Sequence, residues 1–132
     1  MRESSALNPP SLPQPMGYSQ IVQVSGGTTV YIAGQVAWDA GGQLVGAGDF
    51  EAQARQVFAN LLAALSAVGA GVADLVKIGI YVVDHGPEKL AMVRAVRDEV
   101  FRTDSPPAST LIGVQALAMP ELLIEVDAVA VI

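Results

Sequence analysis

Short runs of β-branched and apolar residues, separated by glycines, mark the first third of the chain. Residues 21–24 (IVQV) and 28–33 (TTVYIA) have the composition of strands. Gly26 and Gly27 between them predict a tight turn, so we expect the two strands to pair as a hairpin. Residues 43–45 (QLV) predict a further brief strand.

Residues 1–15 differ from the rest of the chain. They contain four of its eight prolines, with serine, asparagine and glutamine between them. Proline lacks the amide hydrogen that a helix interior needs, so we predict a flexible, proline-rich N-terminal arm over residues 1–15. The remaining residues, 16–132, are enough for one domain and too few for two.

Two later stretches have the spacing of helices. Asp49 predicts the N-cap of the first, with Glu51 in its first turn and Gly69 at its end. Pro87 predicts the first position of the second, and Pro106 lies beyond its end. Apolar residues recur at intervals of three and four along both. They are Ala54, Val57, Phe58, Leu61, Leu62, Leu65 and Val68 in the first helix, and Leu90, Val93, Val96 or the Arg97 stem, Val100 and Phe101 in the second.

Three more strands complete the pattern, over residues 74–84, 110–115 and 122–130. This order predicts an α+β fold, a mixed sheet with two helices packed on one face. The opposite face of such a sheet is left uncovered. Because 52% of the residues are hydrophobic and only 15% are charged, we expect identical subunits to cover that face.

Composition excludes several classes of function. The net charge is −6 with only seven lysines and arginines, which argues against binding to the phosphates of a nucleic acid. The chain has no cysteine and one histidine, so we expect no metal site and no cofactor. No apolar stretch predicts a signal peptide or a membrane span, and we expect a cytoplasmic protein.

Few residues remain as candidates for chemistry. Glu125 and Asp127 lie two apart on the last strand, so both side chains point to the same face. One interpretation is a solvated strand face, and the other is a carboxylate that holds a water and accepts its proton. His85 follows Asp84 in a turn and is interpreted as an ordinary turn residue.

The C-terminal third resembles a known family. Residues 107–110 (PAST) and 123–130 (LIEVDAVA) are similar to the signature of the RidA (YjgF) family, and residues 33–36 (AGQV) and 51–56 (EAQARQ) also match. These reactive-intermediate deaminases hydrolyse enamines and imines. The resemblance, from Tyr18 to the C-terminus, implies one RidA-like domain with a YjgF-like, chorismate-mutase-like fold, assembled as a homotrimer with its site in a cleft between subunits.

The resemblance also implies roles for single residues. Glu125 matches the glutamate that orients the attacking water. Ser109 stands where active deaminases have an arginine that grips the substrate carboxylate. A serine offers one neutral hydroxyl instead of a charged fork, and we expect a loss of roughly ten- to a thousand-fold in binding or rate.

Four other positions match the family's substrate cleft. Tyr18 matches a tyrosine at its border, and Ala33 and Gly34 lie where many deaminases have a serine and the glycine beside it. Arg94 matches an asparagine that faces the site in some members. Its guanidinium is then a substitute for the missing anchor; the competing interpretation is a surface arginine paired with Asp98 one turn away.

These observations lead to one main hypothesis and two alternatives. The main hypothesis is a RidA-like protein that binds a small metabolite between subunits and hydrolyses imines or enamines weakly, or has lost the usual deaminase activity. The first alternative is a non-catalytic ligand-binding or regulatory trimer. The second is a chorismate-mutase-like enzyme, for which the chain offers few cations. The "L-PSP endoribonuclease" label of some relatives conflicts with the charge of −6.

Overall fold

Two helices cover one face of a four-stranded mixed sheet. The computed structural model describes residues 2–132. The elements are β1 Glu3–Leu7, β2 Ile21–Ser25, β3 Thr29–Gln35, α1 Phe50–Ala67, a 3₁₀ turn Val72–Asp74, β4 Leu75–Val83, α2 Pro87–Val100, β5 Ala108–Val114 and β6 Ile124–Val131. The sheet has the order β3-β6-β4-β5, in which β4 and β5 are parallel and the other pairs antiparallel. The predicted α+β fold with both helices on one face is confirmed.

The helices begin and end where their caps predict. The Asp49 carboxylate accepts a hydrogen bond from the backbone amide of Ala52 at 3.1 Å, which caps the first turn of α1. Beyond its last turn, Gly69 adopts φ +73°, a left-handed conformation that glycine reaches without strain. Pro87 occupies the first turn of α2, and Phe101 caps its end.

The core lies between the helices and the covered face of the sheet. Phe58 of α1 and Phe101 meet edge to face, with ring centroids 5.6 Å apart. Ile78 and Val126 project from the central strands and are fully buried. Within residues 2–132, no helix is both long enough and apolar enough to cross a membrane.

The predicted hairpin between residues 21–24 and 28–33 is wrong. Strand β2 pairs with β1, and β3 pairs with β6. Gly26 and Gly27 both have positive φ, and Thr28 exchanges backbone hydrogen bonds with Ile132 at the end of the chain. The turn therefore directs β3 into the main sheet, where the apolar strand β6 offers it a buried partner.

Part of the N-terminal segment is a strand. Residues Glu3–Leu7 form β1, and Arg2 makes an ion pair with Asp74; Met1 lies outside the described residues. This strand consists mostly of exposed polar residues, because it is held by backbone hydrogen bonds to the edge of β2 and has no buried face to fill. The division at residue 15 stays a prediction. Of the brief strand at 43–45, only a bridge between Trp38 and Leu44 is present.

Candidate functional site

Alternation along β6 places two carboxylates on the uncovered face of the sheet. Ile124 and Val126 are completely buried under the helices, so Glu125 and Asp127 project to the other side. The Tyr81 hydroxyl donates a hydrogen bond of 3.1 Å to Oδ2 of Asp127. Glu125 is half-buried and accepts no such bond within residues 2–132.

The surroundings of Glu125 favour its protonated form. Burial is the main cause that raises the pKa of Glu125 above its ordinary value, and the negative charge of Asp127 raises it further. The hydrogen bond to Asp127, followed by burial, raises the pKa of the Tyr81 hydroxyl. A carboxylate of raised pKa is a better proton acceptor than an ordinary one, as general-base chemistry with water requires.

Gly34 lies directly against this carboxylate. A Cβ atom at position 34 would overlap Oε2 of Glu125, so any larger residue there would displace the glutamate side chain from its present position. Strand β3 is irregular between Ile32 and Gln35, which brings the Gly34 backbone close to β6. Ala33 beside it is exposed and supplies no hydroxyl. We call Ala33, Gly34 and Glu125 the glutamate half-site.

A second group lies on the helix-covered side of the edge strand β5. Tyr18, Arg94 and Ser109 line one cavity of about 180 Å³. Its other walls are mostly apolar. They are formed by Met16, Ile80, Leu90, Val93, Arg97 and Leu111. We call Tyr18, Arg94 and Ser109 the arginine half-site.

Arg94 is the cation of this cavity that has no carboxylate partner in the described part of the chain. Asp98, the competing partner, instead pairs with Arg97 at 3.1 Å. The Arg94 side chain is half-buried. A half-buried guanidinium without a protein anion is suited to bind a ligand anion.

The two half-sites do not meet within one chain. Ser109 faces the helices, whereas Glu125 faces away from them on β6, two strands from β5. The family resemblance implies one cleft between subunits for these residues, and a single copy holds them on opposite faces of its sheet. His85 lies in the turn between β4 and α2, as predicted, and belongs to neither group.

The cavity has a second charged residue, Arg97, which the sequence does not indicate as a site residue. Its stem belongs to the apolar stripe of α2, and the residue is only 7% exposed and lines the same cavity as Tyr18. The available signal was an arginine at a position where the helical period requires an apolar residue.

The raised pKa of Glu125 has a consequence for stability. A folded-state pKa above the unfolded value means that the folded protein holds the proton more tightly, so stability falls as pH rises from about 4.5 upward. Glu125→Gln removes the ionisable group and therefore also this loss of stability with rising pH. We expect the variant to have a higher Tm than the unaltered protein at pH 7, and the difference to shrink toward pH 4.

Thermal unfolding at several pH values measures this difference. The control is Glu121→Gln, which changes an exposed glutamate shortly before β6. Two results would contradict the assigned burial of the charge: a Tm difference between Glu125→Gln and the unaltered protein that stays constant from pH 4 to pH 7, or no Tm difference at pH 7.

Comparison with known proteins gives consistent matches over nearly the whole chain. The family model described as Endoribonuclease L-PSP matches residues 11–132. A 2-iminobutanoate/2-iminopropanoate deaminase of Dermatophagoides farinae is 32% identical, over 100% of this chain and 99% of the relative.

Solved structures agree. A Rid-family protein of unknown function from Yersinia pestis, YyfB, has 45% identity and a TM-score of 0.93, with 98% of each chain covered. RidA from an Antarctic Psychrobacter has 30% identity and a TM-score of 0.71, over 97% of this chain and 99% of that one.

Proposed function

We propose a function from one premise: this chain belongs to the Endoribonuclease L-PSP family, whose members are also called RidA or YjgF proteins. We infer that it binds a small anionic metabolite in a cleft between two copies of itself. The observation that carries this proposal is the separation of the two half-sites onto opposite faces of one chain. A second copy is the simplest means to bring Glu125 opposite Arg94 and Ser109.

The uncovered face of the sheet supports such an assembly. Tyr31 on β3 is 81% exposed and Ile112 on β5 is 45% exposed, and both project from that face. Large apolar side chains exposed on a sheet face favour burial against another subunit. The family implies a homotrimer, in which each of three clefts would take its glutamate half-site from one copy and its arginine half-site from the next.

The complete cleft would suit hydrolysis of an imine or enamine. Arg94 and the Ser109 hydroxyl would hold the carboxylate of a 2-imino acid. Glu125 would orient a water molecule and accept its proton as the oxygen attacks the imine carbon. The π electrons of the carbon–nitrogen double bond move to the nitrogen, which takes that proton from Glu125, and a carbinolamine forms. Glu125 would then take the proton of the new hydroxyl and pass it to the same nitrogen, so that the carbon–nitrogen single bond breaks as the carbonyl forms, and ammonia and a 2-oxo acid leave. This is the reaction class named in the Dermatophagoides relative, a 2-iminobutanoate/2-iminopropanoate deaminase.

The reaction should be slow compared with relatives that anchor the carboxylate from β5. Ser109 contributes a neutral hydroxyl where they have a charged fork, and Ala33 contributes no hydroxyl at all. The same two residues favour the alternative function, a trimer that binds its ligand without catalysis. Release of ammonia from 2-iminobutanoate distinguishes the two, because a purely binding protein releases none above the spontaneous rate.

Subunit complementation tests the shared cleft. Glu125→Gln and Arg94→Met each damage a different half-site. When the two variants are unfolded together and refolded as a 1:1 mixture, we expect about a quarter of the clefts to receive both intact half-sites, since neighbours combine at random. Ammonia release from 2-iminobutanoate should recover to about that fraction of the unaltered protein.

Light scattering on the same samples should show a trimer. A mixture that recovers no activity while forming trimers would place the whole site within one chain and contradict the shared cleft. A stable monomer at micromolar concentration would contradict the assembly itself. The matched control is the double variant Glu125→Gln/Arg94→Met alone, which contains no intact half-site and should stay inactive.

A further inference from the structure

We infer that Arg97 is a positioning residue, which fixes the backbone before Tyr18 and so sets the part of the cavity wall that Tyr18 forms. Only the ligand-binding readout below rests on the proposed function. The contacts of Arg97 are properties of the fold, and one arm of the test reads them directly.

The burial of Arg97 is unusual for its residue type. The residue is only 7% exposed, although arginine is rarely buried unless it is paired. Its Nε and Nη2 atoms donate to Oδ1 of Asp98 at 3.2 and 3.1 Å. The Asp98 side chain is 65% exposed, so solvent screens this pair and it adds little to stability. The ion pair with Asp98 therefore does not by itself explain a buried charge at this position.

The third contact connects helix α2 to the segment before Tyr18. Nη2 of Arg97 donates a hydrogen bond of 3.2 Å to the backbone oxygen of Met16. The next residue, Gly17, has φ +79°, a left-handed conformation that favours glycine. A Cβ atom at Gly17 would overlap the Arg97 guanidinium. The turn and the guanidinium therefore fit one another closely.

A second attachment holds the other side of Tyr18. The backbone amide of Ser19 donates to the Pro107 oxygen at 3.1 Å, and its hydroxyl donates to the Pro106 oxygen. Ser19 also forms a bridge with Ala108, the residue before Ser109. Tyr18 is thus held between α2 on one side and the start of β5 on the other.

The chemistry of arginine suits this role. Its planar fork donates to Met16 and Asp98 at fixed angles, which a lysine ammonium on a flexible stem does not reproduce. Loss of the guanidinium removes the attachment before Tyr18 and leaves the one through Ser19. The ring would then move relative to Arg94 and Ser109, and displacements of about 1 Å in such walls have large effects on binding and rate.

The direct test uses ¹⁹F NMR of protein labelled with 3-fluorotyrosine. The chain has three tyrosines, and Tyr18→Phe assigns the resonance of interest. We expect Arg97→Met, which keeps an apolar stem, to shift or broaden the Tyr18 resonance and to leave those of Tyr31 and Tyr81 in place. Arg97→Lys should have the same effect in weaker form.

The control is Arg55→Met on α1, an exposed arginine that pairs with Glu51 and Glu99. It should leave all three resonances unchanged. An unchanged Tyr18 resonance in folded Arg97→Met or Arg97→Lys would overturn the inference, whether or not the protein binds any ligand. If Arg97→Met does not fold, as judged by circular dichroism, the Arg97→Lys spectrum decides the question.

Ligand binding gives the second readout, with 2-oxobutanoate as the probe. We expect Arg97→Met to weaken its binding about tenfold, and this effect to disappear in a Tyr18→Ala background. An effect of equal size in both backgrounds would contradict action through Tyr18. Failure of the unaltered protein to bind the probe would count against the proposed function and leave the NMR result to decide the role of Arg97.

Discussion

Glu125→Gln should lower the turnover of 2-iminobutanoate by about two to four orders of magnitude, the usual contribution of a general base. The amide keeps the shape of the side chain and still fits against Gly34, but it accepts no proton from the attacking water. Binding of 2-oxobutanoate should change by less than about threefold, because the lost interaction belongs to the transition state. Single-turnover ammonia release and calorimetric titration measure the two effects separately.

The dependence of turnover on pH gives a second test, because a purely structural role of Glu125 would not produce the expected profile. Burial and the charge of Asp127 raise the pKa of Glu125, so turnover should increase with pH through a pKa above the ordinary carboxyl value of 4.5. Asp127→Asn is the matched control: it lies on the same face and removes a neighbouring negative charge. It should move this pKa downward and preserve most of the turnover. Unchanged turnover in Glu125→Gln would return Glu125 to the interpretation of a solvated strand face.

The helices could be predicted because their signals are local. Asp49 caps α1 through its own side chain, and Pro87 begins α2 at a position where its missing amide hydrogen costs nothing. The predicted β2–β3 pairing is wrong because the partner of a strand depends on all the strands of the sheet, most of which lie far away in the sequence. Gly26 and Gly27 mark a turn in the sequence, but the contact that decides its direction joins Thr28 to Ile132, a residue far away in the sequence.

The candidate site shows the same division between local and distant information. Alternation along β6 was enough to predict that Glu125 and Asp127 share a face. It carries no information about which strands lie beside them, and so Gly34 beside Glu125 came from the family resemblance alone. The helical period indicates that position 97 is buried, but it does not indicate the partner of Arg97, because the interaction with Met16 spans 81 positions.

The second large effect that we expect concerns which residue, Arg94 or Ser109, binds the carboxylate of the ligand. In the unaltered protein, Arg94→Met should weaken binding of 2-oxobutanoate by roughly ten- to a thousand-fold, the difference between a charged and a neutral hydrogen-bond set. The methionine retains the apolar stem, so the cavity keeps its walls and loses its unpaired cation. Arg102→Met is the matched control, since it removes an exposed arginine just after α2.

Ser109→Arg tests the same idea from the other wall. The new guanidinium would stand at the position that the family resemblance assigns to the carboxylate anchor, and we expect turnover of 2-iminobutanoate to rise by roughly ten- to a hundred-fold. In this background Arg94→Met should have a much smaller effect, because β5 then supplies the anchor and the two cations are no longer independent. Equal effects of Arg94→Met and Arg102→Met on the unaltered protein would contradict the anchoring role of Arg94. The ligand of this cavity would then be neutral, held by the Ser109 hydroxyl and the apolar wall that Leu90, Val93 and Leu111 provide.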